Sequence, residues 1–172
     1  MSTGQSTVDA ERECLLRILG EQRGFLRFTV QGLTDEQARS RPTVSELSLG
    51  GLVKHVAKVE RDWMSFVLEG AEGSPVAGDD DKEHAGSFHL ADGETLASVL
   101  EDYAKAAEET DRTVRSLPDL EVSHLLPPAP WFPEGTSWTA RDVLVHLVRE
   151  TAQHCGHADI LRETLDGQRT MG

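Results

Sequence analysis

Residues 139–166 read TARDVLVHLVRETAQHCGHADILRETLD, and this stretch decides both the fold and the chemistry. Thr139 has Asp142 three positions later, the spacing of a helix cap with an acid in the first turn, and Gly167 is a suitable terminus. Between them Val143, Leu147, Glu150, His154, His157 or Ala158, Leu161 and Leu165 recur at steps of three and four, the period of one helical face. Apolar residues bracket Glu150 and His154, so the spacing predicts a carboxylate and an imidazole one turn apart, pointing into a core. A buried carboxylate is costly unless it is paired, protonated or bound to a metal. Residues at i and i+4 have Cβ atoms about 5–6 Å apart and can converge on one ion. Spacing alone leaves two readings, an intrahelical ion pair or two ligands of a metal.

Three further segments read as helices. The first runs from about Val8 to Gly32, with Leu15, Ile18, Leu19, Gln22, Phe25, Leu26 and Val30 on one face and Gly20 and Gly24 weakening it. Thr34 and Gln37 have capping-box spacing and start a short helix that Arg41-Pro42 ends. The second long segment runs from about Ser48 to Glu69, with Leu52, Val56, Val59, Trp63 and Phe66 in its stripe, His55 on the stripe's edge and Gly70 as its stop. The third runs from Gly93 or Glu94 to Leu117, with Leu96, Val99, Leu100, Tyr103, Ala106, Ala107, Thr110 and Val114 forming its apolar face.

Residues 70–93, rich in glycine and carrying Asp79-Asp80-Asp81, read as a long loop, as do residues 118–138 with Pro127, Pro128, Pro130 and Pro133. Trp131, Phe132 and Trp138 in the second loop predict that it folds back over something. Four long helices and no strand pattern predict an all-α four-helix bundle, one domain over residues 1–172 with residues 1–7 flexible and the long loops free to make crossover connections.

Composition narrows the function. A net charge of −13 argues against nucleic acid and against an anionic membrane surface, because both need clustered Lys and Arg. No stretch reaches the ~18 apolar residues of a membrane span. The polar Met1–Thr7 lacks a secretory core, and Cys14 and Cys155 form no disulfide framework, so a reducing cytoplasm is expected. An apolar bundle face would allow a homodimer.

His55 adds a third donor to Glu150 and His154 from another helix. A His-His-Glu set suits Zn²⁺ first, with Ni²⁺, Fe²⁺ or Mn²⁺ also fitting, and three protein ligands leave coordination positions open. His146 and His157 stand near the same stripe and could be ligands, supporting partners or surface residues. His84, His89 and His124 fall in loops and read as solvated.

Residues Ser48-Leu49-Gly50-Gly51-Leu52-Val53-Lys54-His55-Val56-Ala57-Lys58-Val59-Glu60, followed by Trp63, resemble the second helix of the DinB-like superfamily. Glu150-Thr151-Ala152-Gln153-His154-Cys155-Gly156-His157-Ala158-Asp159-Ile160-Leu161-Arg162-Glu163, then Asp166-Gly167, resemble its fourth-helix motif. The branch most similar is the actinobacterial one of mycothiol-dependent transferases. The resemblance covers nearly the whole chain and implies a bundle with one metal at one end of its core, held by His55, Glu150 and His154. Many members carry His where this chain has Glu150, and the mycothiol-linked ones are similar to it in using Glu.

The resemblance further implies transfer of a small thiol such as mycothiol, as cosubstrate, to an electrophile, in the manner of the family's S-transferases and maleylpyruvate isomerase. A detoxifying role would follow. A metal-dependent hydrolase, and a metal- or ligand-binding stress protein without turnover, are the competing readings.

Overall fold

The computed structural model describes residues 3–73 and 86–170. Pro75, Gly78, the run Asp79-Asp80-Asp81 and His84 lie outside the described residues. Five α-helices lie wholly within the described residues: α1 Thr3–Thr29, α2 Asp35–Arg39, α3 Leu49–Glu69, α4 Leu96–Ser116 and α5 Ala140–Asp166. No helix among the described residues is long and apolar enough to cross a membrane.

Local chemistry sets most helix ends. The Thr34 hydroxyl accepts from Gln37 N and the Gln37 side chain returns to the Thr34 backbone, completing the expected capping box. Ser48 caps α3 by accepting from Gly51 N, and Thr139 with Asp142 forms a second reciprocal box at the start of α5. Gly70 and Gly167 close α3 and α5 with positive φ, where a Cβ would be strained. Helix α1 begins at Thr3, upstream of the Val8 start read from its apolar repeat. Periodicity reports only the turns that meet a core, and the first turns carry no large apolar residue.

Contacts between helices fix their directions. Arg141 reaches Glu11, Cys155 reaches Gln22 and Arg162 reaches Thr29, so α1 and α5 run the same way. Lys54 meets Glu94 and Arg61 meets Asp102, so α3 and α4 also run together. Arg23 meets Asp111 and Arg12 meets the Leu117 carbonyl, which sets α1 against α4. The α3–α4 connection therefore joins opposite ends of the bundle, while residues 118–138 return at the end where α4 stops.

That second loop contains a two-stranded antiparallel ribbon, β1 Ser123–Leu125 paired with β2 Ser137–Thr139, with His124 opposite Trp138. The sequence showed no strand there because three-residue strands carry no periodic signal. His124 is half-buried rather than solvated: its Nε2 donates to the Val67 carbonyl at 3.1 Å and its ring meets Phe66. The ribbon is thus docked on the end of α3.

Among the described residues the core forms two apolar clusters. One is built on Leu26, Leu52, Val56, Tyr103 and Leu161, the other on Leu19, Trp63, Phe66, Leu144 and Leu147. Between them Arg23, Glu60, Thr151 and His154 are all buried. Arg23 Nε donates to Glu60 Oε1 at 2.6 Å and Nη1 donates to Asp111 Oδ1 at 2.8 Å. Burial pushes the Glu60 carboxyl up, and Arg23 pulls against it. The α1 stripe is accordingly Leu16, Leu19, Arg23, Leu26 and Val30, while Phe25, expected inside, is 39% exposed.

Candidate metal centre

Helices α3 and α5 run antiparallel, and their facing surfaces bring together the three residues the sequence singled out. His55 Nε2 lies 3.7 Å from Glu150 Oε1, and His154 Nε2 lies 3.2 Å from the same oxygen. One donor atom from each of the three falls within 4.8 Å of the others. Neighbouring donors of a tetrahedral site with ~2.1 Å bonds stand about 3.4 Å apart, so small side-chain shifts suffice to close on an ion. Both imidazoles are buried, His55 at 4% and His154 at 6% exposure.

Glu150 departs from its expected place. It sits on the edge of the α5 stripe, half-buried, and Thr151 takes the inward position and donates to the Leu147 carbonyl. Steps of four and three fit 147, 151, 154 and 158 as well as they fit 147, 150, 154 and 158. The edge position lets the carboxylate meet both imidazoles while remaining reachable from outside. Hydrogen bonding to His154, then to His55, holds the Glu150 carboxyl well below the usual carboxylate range despite partial burial.

The outer ring nitrogens are held as well. His55 Nδ1 is 2.9 Å from Ser87 Oγ, and His154 Nδ1 is 3.3 Å from His157 Nδ1. Phe88 stacks on the His55 ring with centroids 3.9 Å apart and planes at 22°. Metal-bound imidazoles commonly use the second nitrogen in this way, which fixes tautomer and orientation. Two imidazoles and one carboxylate, each with its inner atom facing a common point, fit one divalent first-row ion.

Neither Ser87 nor Phe88 was singled out in the sequence. Both follow the glycine-rich stretch, which has no periodicity to read. One signal existed in Gly50-Gly51: a Cβ on Gly51 would fall 1.6 Å from the Phe88 carbonyl oxygen, so the connection can lie on α3 only over glycine. Ser48 Oγ donates to that carbonyl, Lys54 Nζ donates to the His89 carbonyl, and Arg39 donates to the Leu90 and Ala91 carbonyls.

The other histidines find different work. His146 lies among Trp63, at 4.9 Å between centroids, and Trp138, at 5.2 Å. Arg149 Nη2 donates to its Nδ1 at 2.7 Å, and an arginine can only donate, so the neutral ring carries its proton on Nε2. His157 supports His154 from outside. Cys155, next to His154, donates to the Gln22 carbonyl, and burial pushes its thiol up to about 11, away from reactivity. Rings continue from Trp63 through Trp138 and Phe132 to Trp131, which is 69% exposed.

The sequence profile described as mycothiol-S-transferase matches residues 14–167, nearly the whole chain. The chain belongs to the mycothiol S-transferase family. Its DinB-like bundle is the architecture that the helix-two and helix-four motifs implied. Among solved structures, the crystal structure of a conserved protein from Enterococcus faecalis matches this mycothiol S-transferase family member with a TM-score of 0.68. The match covers 91% of this chain and 97% of that one at 16% identity, and so concerns the fold alone. No curated protein matches the chain.

Proposed function

We propose that this protein joins mycothiol, or a closely similar sugar thiol, to an electrophilic carbon, and that His55, Glu150 and His154 hold the one divalent ion the reaction uses. The observation that carries this reading is the meeting of one donor atom from each of two imidazoles and one carboxylate within 4.8 Å of one another, in a chain of the mycothiol S-transferase family. Zn²⁺ fits the donor set first, with Ni²⁺, Fe²⁺ and Mn²⁺ next. A divalent ion bound there supplies a Lewis acid that lowers a thiol's pKa and makes thiolate available near neutral pH.

The chain's own residues account for the rest. Two neutral imidazoles and one carboxylate leave a net positive charge around a divalent ion, which favours an incoming thiolate. Ser87 and His157 hold the outer nitrogens, and Phe88 covers the His55 ring against water. In the transfer the thiol loses its proton, its sulfur lone pair forms the new C–S bond, and the bond from carbon to the leaving group breaks. Where the acceptor is a conjugated double bond, a proton returns to the neighbouring carbon instead. The rings of Trp63, Trp138 and Phe132 are the candidate wall for the electrophile's apolar part. A reducing cytoplasm, where a sugar thiol stays reduced, is consistent with the free Cys14 and Cys155.

The test is to incubate metal-loaded protein with mycothiol and monochlorobimane and to follow the thioether by mass spectrometry. Conjugation that needs both metal and thiol is the expected result. Consumption of an electrophile or ester without thiol would point to a hydrolase, and no turnover on a broad electrophile panel would favour a non-enzymatic binding protein.

A further inference from the structure

The two imidazoles of the centre are supported differently, and the difference singles out Ser87. His157 lies on the same helix as His154 and is partly exposed. Ser87 is buried, 4% exposed, and reaches His55 from a connection 32 residues away in sequence. Nε2 is the His55 atom turned toward Glu150, so when Nε2 ligates an ion the ring's proton is on Nδ1, where the Ser87 oxygen, 2.9 Å away, accepts it. The hydroxyl and the stacked Phe88 ring together leave the His55 imidazole one orientation.

We propose that Ser87 is a positioning residue of the metal centre: its hydroxyl holds His55 Nδ1, accepting from it when Nε2 ligates the ion, and so aims Nε2 at the ion. The centre is then built from three parts of the chain, α3, α5 and the connection between α3 and α4. The glycine pair belongs to the same device, because Gly51 lets the Phe88 carbonyl approach α3 and Ser48 ties it there. This inference rests on the metal-binding reading of His55, Glu150 and His154, and it adds a residue that touches neither metal nor substrate.

Two readouts separate it from that reading. The first is Zn²⁺ affinity of the apoprotein, measured by competition with a chromophoric chelator. Ser87→Ala is expected to weaken binding about 10–100-fold, the usual effect of losing a partner of a ligating histidine. Ser87→Thr, which keeps the hydroxyl, is expected to restore affinity to within about threefold of the unaltered protein, well inside that loss. Ser87→Cys, of similar size but a weak acceptor, is expected to behave like Ser87→Ala and serves if the alanine variant does not fold.

The second readout needs no metal: two-dimensional ¹H–¹⁵N spectra of the apoprotein's imidazoles. The His55 Nδ1 signal is expected at a hydrogen-bonded position in the unaltered protein and in Ser87→Thr, and shifted away from it in Ser87→Ala. Unaltered protein that binds Zn²⁺ while Ser87→Ala binds it equally well would overturn the proposal. So would a His55 Nδ1 signal that Ser87→Ala leaves in place. Unaltered protein that binds no metal would instead overturn the reading on which the proposal rests, and the imidazole spectra would still judge Ser87.

Discussion

The Phe88 carbonyl oxygen occupies the space where Gly51 would carry a side chain, 1.6 Å from the ideal Cβ position. Real Cβ atoms do not come so close to backbone, so Gly51→Ala must lift the connection off α3 and carry Ser87 and Phe88 away from His55. Gly51→Ala is expected both to lower stability and to weaken metal binding. Gly20 and Gly24, by contrast, have open space where a Cβ would go. Gly20→Ala is expected to stabilise α1 by about 0.5–1 kcal/mol, the ordinary gain from removing an interior helical glycine. Thermal melting of the apoproteins and zinc titration check the pair. Equal zinc affinity in Gly51→Ala and the unaltered protein would contradict the role given to the close approach.

Arg23 and Glu60 join α1 to α3 inside the polar layer between the two apolar clusters. Removing one member of a buried pair leaves the other charge without compensation, at a cost of about 3–5 kcal/mol. Arg23→Met is therefore expected to lower the urea midpoint sharply. The double replacement Arg23→Met with Glu60→Leu is expected to recover most of the loss, since an apolar pair of similar volume needs no partner. Denaturant melts of the single and double variants decide it, and equal losses in both would contradict the pairing.

His146 is packed between tryptophans, and desolvation lowers its pKa from the ordinary 6.5, with Glu150 opposing and Arg149 adding to the shift. The unfolded chain therefore takes up this proton at higher pH than the folded one. The stabilising contribution is complete above about 6.5 and is lost as pH falls from there to the lowered value. NMR titration is expected to place the His146 pKa below 6.5. His146→Phe is expected to flatten the pH dependence of stability in that window. A titration midpoint at or above the ordinary value would contradict this burial.

The parts of the molecule that could be read in advance were those with local chemistry. Ser48, Thr139, Gly70 and Gly167 mark helix ends because capping needs only a few neighbouring residues. His55, Glu150 and His154 stood out because ionisable groups in or beside an apolar stripe are rare. What escaped was set by distance in the chain. Arg23 and Glu60 carry no local signal, and only the packing of α1 on α3 places them side by side. Ser87 and Phe88 lie in a segment without periodicity, and only the close approach over Gly51 makes them part of the centre. The ribbon that presents Trp138 was hidden by the shortness of its strands. On α5 the repeat could not distinguish Glu150 from Thr151 as the inward residue, because both fit the helical period.

The most direct test of the centre is the metal content of untagged purified protein, measured alongside His55→Ala and Glu150→Ala. About one equivalent of a divalent transition metal in the unaltered protein, lost in both variants while their helix content is retained, is the expected result. Protein that stays metal-free after reconstitution with Zn²⁺, Ni²⁺ or Fe²⁺ would contradict it and reduce Glu150 and His154 to an ion pair on α5.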